Sequence, residues 1–243
     1  MSSLAGEATV GTLAGVDPAV AYPATETVPE SPRHSRARFL AYGALSAHFA
    51  GRPGCFVGQD LNVYYRPVPR TAVVAPDVLV CFGVDAGALE DDCSYRLWDA
   101  GSPPAFVLEI ASGKTHQRDS EQKPGIYLEV GASEYWRFDP SGLDLFTPAL
   151  QGDRRVGDAW APIAVCPDGE GRLSGHSAVL GLDLHAEERC LRFRDSQTGR
   201  WLPNPEDLQH TLEATRQQRD AEAAARRAAE AELTALRARL NDE

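Results

Sequence analysis

Apolar and polar residues along the first part of the chain follow two different periods. Behind the dipeptide Ser31-Pro32, apolar side chains and one histidine recur every three or four residues, which is the spacing of one face of an α-helix. Serine is a favoured N-cap and proline a favoured first helical residue, and the glycine at 51 and the proline at 53 end the pattern. An amphipathic helix is therefore predicted, with this inner face: Ala37, Leu40, Ala41, Ala44, Leu45 and His48.

The period then changes to that of β-strands. Apolar, β-branched and aromatic residues bounded by turn signals predict strands at 55–67, 73–83, 105–110 and 134–140, with further short β segments up to the sequence LRFRDSQTGRWL. The glycines and the proline pair of 84–104 predict a long loop. Residues 116–130 are helix-like, although Pro124-Gly125 interrupts them.

The last part of the chain has a different composition. From residue 207 onward Gly and Pro are absent and Ala, Glu, Arg and Leu dominate, which predicts one long helix over 207–243. Polar residues interrupt the heptad seam, so a strong coiled coil is not specified. We expect the helix to pair with the same helix of a second copy, the alternative being a helix in solvent or folded back on its own domain. The leucines of the seam are Leu208, Leu212, Leu233, Leu236 and Leu240.

Composition and charge bound the class of protein. The chain has 243 residues, of which 43% are hydrophobic, so a single globular domain over 31–206 can bury a core, whereas the aperiodic segment 1–30 is predicted to be disordered. No apolar run spans a bilayer, no signal peptide is recognisable, and five scattered cysteines indicate neither a disulfide framework nor structural zinc. We therefore expect a cytoplasmic protein without membrane contact. The net charge of −11 counts against DNA binding by bulk electrostatics.

Two acids occur within otherwise apolar predicted strands. Asp77 follows Pro76 and precedes the sequence VLVCF, and Glu109 lies near the end of FVLEI. A buried carboxylate without a partner costs several kcal/mol, although a backbone cap or a surface ion pair would also explain each acid taken singly. Two carboxylates at adjacent strand ends can share a divalent cation. Lys123, in the following helical segment, could orient or deprotonate a water or stabilise a phosphate, which together is the equipment for metal-assisted phosphodiester hydrolysis.

In their order and spacing, these segments resemble the "putative restriction endonuclease" family of the PD-(D/E)XK nuclease superfamily. The resemblance covers most of residues 31–240 and implies an α/β fold, with a mixed central sheet flanked by helices, a β-rich extension and a long C-terminal helix. The matching segments are VYYRP, APDVLVCFGV, RLWDAG, PAFVLEIASGKTHQRDSEQKPGIYLEVGASEYWRFDP, GHSAVLGLDL and LRFRDSQTGRWL.

The resemblance also implies the residues of the site. Asp77 and Glu109 match the two acids that bind a divalent metal, usually Mg²⁺ with Mn²⁺ as a substitute, and the backbone carbonyl of Ile110 would be a further ligand. The superfamily's lysine, two residues after the second acid, is replaced here by Ala111. The family places a lysine on the following helix instead, and Lys123 matches that position.

Neighbouring residues leave alternatives open. Asp119 lies one turn before Lys123 on the same predicted helix face. Because Pro124 disfavours helical geometry at Lys123, Lys114 and His116 are candidate substitutes, and Gln59 and Asp60 could line the edge of the site. We further expect Asp77 to face a metal ion and not a salt-bridge partner, and Lys123 to contribute little packing.

The function that this resemblance implies is that of a Mg²⁺-dependent DNA endonuclease with Asp77, Glu109 and Lys123 as catalytic residues. The alternative is a non-catalytic protein that binds nucleic acid or dimerises on a nuclease fold. The acidic charge favours the alternative, and the complete set of two acids and one lysine favours the enzyme. A zinc hydrolase is disfavoured because the six histidines include no close ligand pair.

Overall fold

The computed structural model describes residues 31–90, 94–142, 145–187 and 189–241, except for the side chains of residues 90, 232–236 and 238–241. The segment 1–30, for which the sequence predicts disorder, lies outside the described residues. The chain divides into two compact units, of which the first ends at Leu202 and the second begins at Pro203. The sequence predicts this boundary between residues 206 and 207.

Helix α1, Pro32–Phe49, begins where the sequence predicts it. Ser31 is the N-cap, and its side-chain oxygen accepts a hydrogen bond of 3.3 Å from the backbone N–H of His34. The buried face contains the predicted alanines and leucines together with His34. The prediction was wrong for His48, which is exposed. Phe49 is buried instead, because its ring packs against that of Phe82 with 5.5 Å between centroids.

A mixed sheet of six strands forms the centre of the first unit and confirms the predicted fold class. In spatial order the strands are β1 (Cys55–Gln59), β4 (Val78–Phe82), β6 (Phe106–Ile110), β7 (Glu134–Phe138), β8 (Leu150–Val156) and β9 (Ala159–Ile163). β6 and β7 pair in parallel, and the other neighbours pair antiparallel. A parallel pair requires a crossover connection, and two short helices between β6 and β7 supply it: α4 (His116–Glu121) and α5 (Lys123–Val130).

Two smaller sheets complete the unit. The first joins β3 (Val73–Val74), β2 (Asn62–Tyr64) and β5 (Ser94–Arg96), and the second is the β-rich extension of β10 (Val165–Pro167), β11 (Leu173–Ser177), β12 (Leu182–Glu187) and β13 (Cys190–Asp195). One face of the central sheet shares its core with α1 and the extension. The opposite face shares its core with α5 and the three-stranded sheet. The central sheet is therefore covered on both faces.

The segment 84–104 was wrongly predicted to be a loop. It contains helix α2 (Ala86–Glu90), strand β5 and helix α3 (Leu97–Ala100), while residues 91–93 lie outside the described range. The aromatic ring of Tyr95 in β5 is fully buried, so tertiary packing stabilises strand structure that the local glycines and prolines disfavour.

The second unit consists mainly of helix α6, Pro205–Asn241, and confirms the predicted long C-terminal helix. Asn204 and Asp207 form a reciprocal cap, because the side-chain oxygen of each accepts the backbone N–H of the other at 2.9 and 3.2 Å. Leu208 and Leu212 are exposed, and the side chains of the three later leucines lie outside the described residues. No helix in the described part of the chain combines the length and apolarity that crossing a bilayer requires.

Candidate active site

Asp77 and Glu109 lie side by side at one end of the central sheet. β4 and β6 pair antiparallel with Val78 opposite Leu108, so one further step in the same register brings Asp77 opposite Glu109. Directly opposite residues project from the same face of a sheet. The antiparallel pairing thus explains why an acid just before one strand and an acid near the end of another meet.

Asp77 is contacted by one backbone amide and by two basic side chains. Its Oδ2 accepts a hydrogen bond of 2.6 Å from the backbone N–H of Ile110. Its Oδ1 lies 2.9 Å from Nε2 of His34 and 3.8 Å from a guanidinium nitrogen of Arg38. His34 and Arg38 are one turn apart on α1, whose first turns therefore reach the end of β4. The expectation that Asp77 lacks a salt-bridge partner was wrong.

Glu109, Lys123 and Asp119 form a buried ion-pair cluster. Nζ of Lys123 lies 2.7 Å from Oε1 of Glu109 and 2.9 Å from Oδ1 of Asp119. The exposed fractions of these residues are 6% for Lys123, 2% for Glu109 and 0% for Asp119. The hydroxyl of Tyr127 donates a further hydrogen bond to Oε1 of Glu109. Lys123 thus bridges the sheet and the crossover helices.

The break between α4 and α5 explains how Lys123 reaches both acids. α4 ends before Gln122, whose backbone N–H still donates to the carbonyl of Arg118 at 3.0 Å. Pro124 has no N–H with which to continue that helix, and a new helix begins at Lys123. Asp119 and Lys123 lie on the same face, as the sequence predicts, and their ion pair spans four residues across the break. The expectation that Lys123 contributes little packing was wrong, because its side chain is buried.

A cavity of about 380 Å³ opens directly over these groups. Asp77, Glu109 and Lys123 line its floor, and its remaining walls include cationic, hydroxyl and amide side chains. These additional lining residues include His34, Asp60, Asn62, Ser112, Lys114, Thr115 and Arg118. The carboxylates are therefore buried in the protein and yet reachable from solvent.

The sequence-based alternatives separate in space. Lys114 lines the cavity but is exposed, and His116 directs Nδ1 to the carbonyl of Ser112 at 3.1 Å. Asp60 lines the cavity and lies 3.5 Å from Arg38, whereas Gln59 points to a different surface groove. Of the candidate basic groups, Lys123 is the one for which an ion pair with Glu109 is described.

The residues around the site that are missing from the sequence-based set include Arg38, which contacts Asp77, and three further residues, His34, Asn62 and Tyr127. The three further residues are buried. His34 carried a usable signal, because a histidine in the first turn of an amphipathic helix stood on the predicted buried side. Asn62 and Tyr127 carried no such signal, because they reach the site only through the way that strand β2 and helix α5 pack against the central sheet.

This chain is similar to a known protein family and to a solved structure. A family model described as Uma2, "Putative restriction endonuclease", matches residues 19–187, which is more than half of the chain. The chain belongs to this family. A crystal structure titled as a "putative nuclease belonging to DUF820" from Anabaena variabilis ATCC 29413 is similar at 14% identity, covers 59% of this chain and 75% of that chain, and gives a TM-score of 0.42. The search of curated proteins found no match.

In this restriction endonuclease family member, burial governs the ionisation of the site. Burial raises the pKa of Asp77 to about 7, against the opposing effects of the Ile110 N–H and of Lys123 and Arg38. Burial likewise raises the pKa of Glu109 well above its ordinary value, with Lys123 acting in the opposite direction. For Lys123, burial favours the neutral amine, but the charges of Glu109 and Asp119 outweigh it and raise the pKa. Lys123 is therefore a cation at neutral pH.

The donor set fits a hard divalent cation. The three buried carboxylates of Asp77, Glu109 and Asp119 outnumber the ammonium of Lys123 and the guanidinium of Arg38 that lie beside them. Oδ2 of Asp119 has no hydrogen-bond partner in the described part of the chain, so the cluster can accept a further cation. Within the same part of the chain, no three His, Cys, Asp or Glu side chains form a ready-made cage for a metal. Mg²⁺ does not need one, because it commonly uses one or two carboxylates and retains several waters.

The raised pKa of Asp77 predicts that this residue destabilises the metal-free folded protein increasingly as pH rises. An unfolded Asp titrates near about 4, so between about pH 4 and pH 7 the folded state binds more protons than the unfolded state. The contribution of Asp77 to the free energy of unfolding therefore falls as pH rises through that window. In a chelator, Asp77→Asn should therefore lose less stability than the wild type between pH 5 and pH 8, as measured by urea unfolding.

A suitable control is Asp158→Asn, since the Asp158 side chain is fully exposed. It should reproduce the wild-type change in stability between the two pH values. Equal slopes for Asp77→Asn and the wild type would mean that Asp77 does not carry the cost of burial assigned to it.

Proposed function

We propose that this protein is a divalent-metal-dependent DNA endonuclease that hydrolyses phosphodiester bonds. The observation that carries the proposal is the convergence of Asp77, Glu109 and Lys123 on the floor of one solvent-connected cavity. An ion cluster that served stability alone would need no opening, and hydrophobic replacements of buried ion pairs are often at least as stable. Membership of a family described as restriction endonucleases supports the same conclusion.

Asp77, Glu109 and the backbone carbonyl of Ile110 would hold the metal. Bound there, Mg²⁺ would supply charge neutralisation at the phosphate and a lowered pKa of a coordinated water. The hydrogen bond from the Ile110 N–H and the contact with His34 restrict the orientation of the Asp77 carboxylate. Such restriction places the carboxylate before substrate arrives, which is the usual role of groups that surround metal ligands.

Lys123 would act as a fixed positive charge. Its pKa is raised by its two acidic neighbours, so at neutral pH it donates hydrogen bonds and is poorly suited to accept a proton. Hydrolysis joins a water oxygen to phosphorus, breaks the bond to the leaving sugar oxygen and increases negative charge on the phosphoryl oxygens. An ammonium group held at the cavity floor would stabilise that charge where it develops.

The mouth of the cavity suits a phosphate backbone in spite of the net charge of −11. Lys114 and Arg118 are exposed on its wall, and the hydroxyl groups of Ser112 and Thr115 line the same side. Arg, Lys, Ser and Thr side chains are among the groups that bind phosphate oxygens in protein–DNA complexes. A local cationic rim would bind DNA at the site while the rest of the acidic surface repels it.

Cleavage assays on double-stranded, single-stranded and branched DNA test the proposal. The wild type should cut at least one of them in Mg²⁺ or Mn²⁺ and none in a chelator. Asp77→Asn and Glu109→Gln should be inactive because each removes a metal ligand. Lys123→Ala should lose roughly 10²–10³-fold in rate, the range expected when one donor to a developing negative charge is removed. It should also be less stable, since Glu109 and Asp119 would remain buried without their cation.

Lys114→Ala is the matched control. Lys114 lines the same cavity as Lys123, but the structure describes no ion pair between Lys114 and Glu109. It should retain activity within about tenfold, provided that circular dichroism shows each variant to be folded at the assay temperature. The reverse ranking of the two lysine variants would transfer the role to Lys114. A wild type that cuts no DNA would instead support the non-catalytic nucleic-acid-binding alternative.

We also propose that α6 pairs with the α6 of a second copy. A helix whose described side chains beyond residue 208 are exposed gains little from its own packing, and long polar helices are marginal in isolation. Two apolar residues near its start, Leu208 and Leu212, are exposed on the described surface. Together with the three later leucines of the sequence, they would supply a seam at both ends of the helix.

Truncation tests the pairing. Removal of residues 207–243 should leave the first unit folded, because no proposed site residue lies in that segment. By light scattering, the full-length protein should be a dimer and the truncated protein a monomer. A dimer that persists after truncation would place the interface on the first unit, and a monomeric full-length chain would contradict the pairing.

A further inference from the structure

The junction between α4 and α5 is weakly held by its own helices. Pro124 cannot donate a backbone hydrogen bond, and the adjacent Gly125 has open space where a side chain would be. Glycine in a helix costs roughly 0.5–1 kcal/mol relative to alanine. The side chain of Lys123 nevertheless has to keep two distances, 2.7 Å to Glu109 and 2.9 Å to Asp119. Contacts with other elements can add to the 3.4 Å backbone hydrogen bond from the Ile126 N–H to the Gln122 carbonyl that spans the junction.

Two aromatic side chains from the central sheet hydrogen-bond to carbonyls on either side of the junction. The hydroxyl of Tyr135 donates to the backbone carbonyl of Asp119 at 2.7 Å. The indole N–H of Trp160 donates to the backbone carbonyl of Pro124 at 2.8 Å. One bond fixes the last part of α4 and the other fixes the first turn of α5. Lys123 lies between the two fixed carbonyls.

The strand register explains why both aromatic residues reach the junction. Tyr135 of β7 is opposite Asp153 of β8, and Trp160 of β9 is opposite Arg155 of β8. Because Asp153 and Arg155 are two residues apart, they project from one face, and so do their partners. The rings of Tyr135 and Trp160 lie 6.1 Å apart between centroids. The same face carries Glu109, so the supports and the acid share one rigid sheet.

We infer that Trp160 is a positioning residue that holds Lys123 at its working distance from Glu109 through the carbonyl of Pro124. The inference rests on the proposed nuclease function. It adds to the site a residue that does not line the catalytic cavity and that is 37 positions away from Lys123 in the sequence. Tyr135 plays the matching role on the α4 side. The hydrogen bond restrains the ammonium group without touching the substrate, so its loss should lower the rate of the chemical step more than it weakens binding.

Trp160→Phe removes the indole N–H and keeps an aromatic ring. It should lower kcat by roughly 10- to 100-fold, the range expected when a catalytic group is displaced by about 1 Å, and leave KM within about twofold. Trp201→Phe is the matched control, because Trp201 packs edge-to-face against His185 in the β-rich extension, outside the site. It should keep the wild-type kcat.

A double-mutant cycle distinguishes positioning from general support of the fold. If Trp160 acts through Lys123, Trp160→Phe should cause no further loss of kcat in a Lys123→Ala background. An equal loss in both backgrounds would overturn the inference. Tyr135→Phe, which removes only the hydroxyl, provides a second variant with the same expected pattern should Trp160→Phe fail to fold.

Hydrogen exchange gives a readout that does not depend on catalysis. The backbone amides of residues 122–128 should exchange faster in Trp160→Phe than in the wild type and in Trp201→Phe, because the junction opens more often without its external hydrogen bond. Unchanged exchange in this segment would overturn the inference even if the enzyme is active. If exchange is faster in Trp160→Phe but the wild type cuts no DNA, the structural role of Trp160 at the junction would stand and the proposed nuclease function would be overturned.

Discussion

The site depends on one buried cation placed among more acids than it can neutralise. Lys123 pairs with Glu109 and Asp119, and Asp77 completes a group of three buried carboxylates at the end of the central sheet. Taking a charge out of water costs several kcal/mol, and mutual attraction repays that cost only when every charge is well partnered. Here the partnering is incomplete, and burial accordingly raises the pKa of Asp77 and of Glu109. A divalent cation is the species that would balance such a cluster.

The rest of the first unit can be understood as support for that cluster. The antiparallel register of β4 and β6 brings Asp77 beside Glu109, and α1 directs His34 and Arg38 at Oδ1 of Asp77, the oxygen that does not accept from Ile110. The parallel crossover from β6 to β7 carries Lys123 back over the sheet. Each of these elements therefore contributes at least one charged or hydrogen-bonding group to the cluster. The metal-binding role that we propose for the cluster explains why acids are buried there in spite of the unfavourable free energy of desolvation.

The sequence alone singles out charged residues that lie within apolar segments. An acid inside an apolar strand is conspicuous, so Asp77 and Glu109 could be singled out without a structure, and the resemblance to a nuclease family added Lys123. His34 was missed although its place on the predicted buried face of α1 was a usable signal, whereas nothing near Asn62 or Tyr127 in the sequence distinguishes a site residue from an ordinary core residue. Their contribution depends on contacts between elements far apart in the chain. The segment 84–104 was wrongly predicted for the related reason that burial of Tyr95 overrides weak local propensity.

The location of a bound metal ion tests this account most directly. Crystals of the wild type grown with Mn²⁺, and measured at a wavelength at which manganese scatters anomalously, should show one ion coordinated by Asp77, Glu109 and the carbonyl of Ile110. The same experiment on Asp77→Asn should show no ion there. An empty cluster in the wild type, or an ion bound elsewhere with Asp77 and Glu109 uninvolved, would contradict the claim that the excess of buried carboxylates is a metal site.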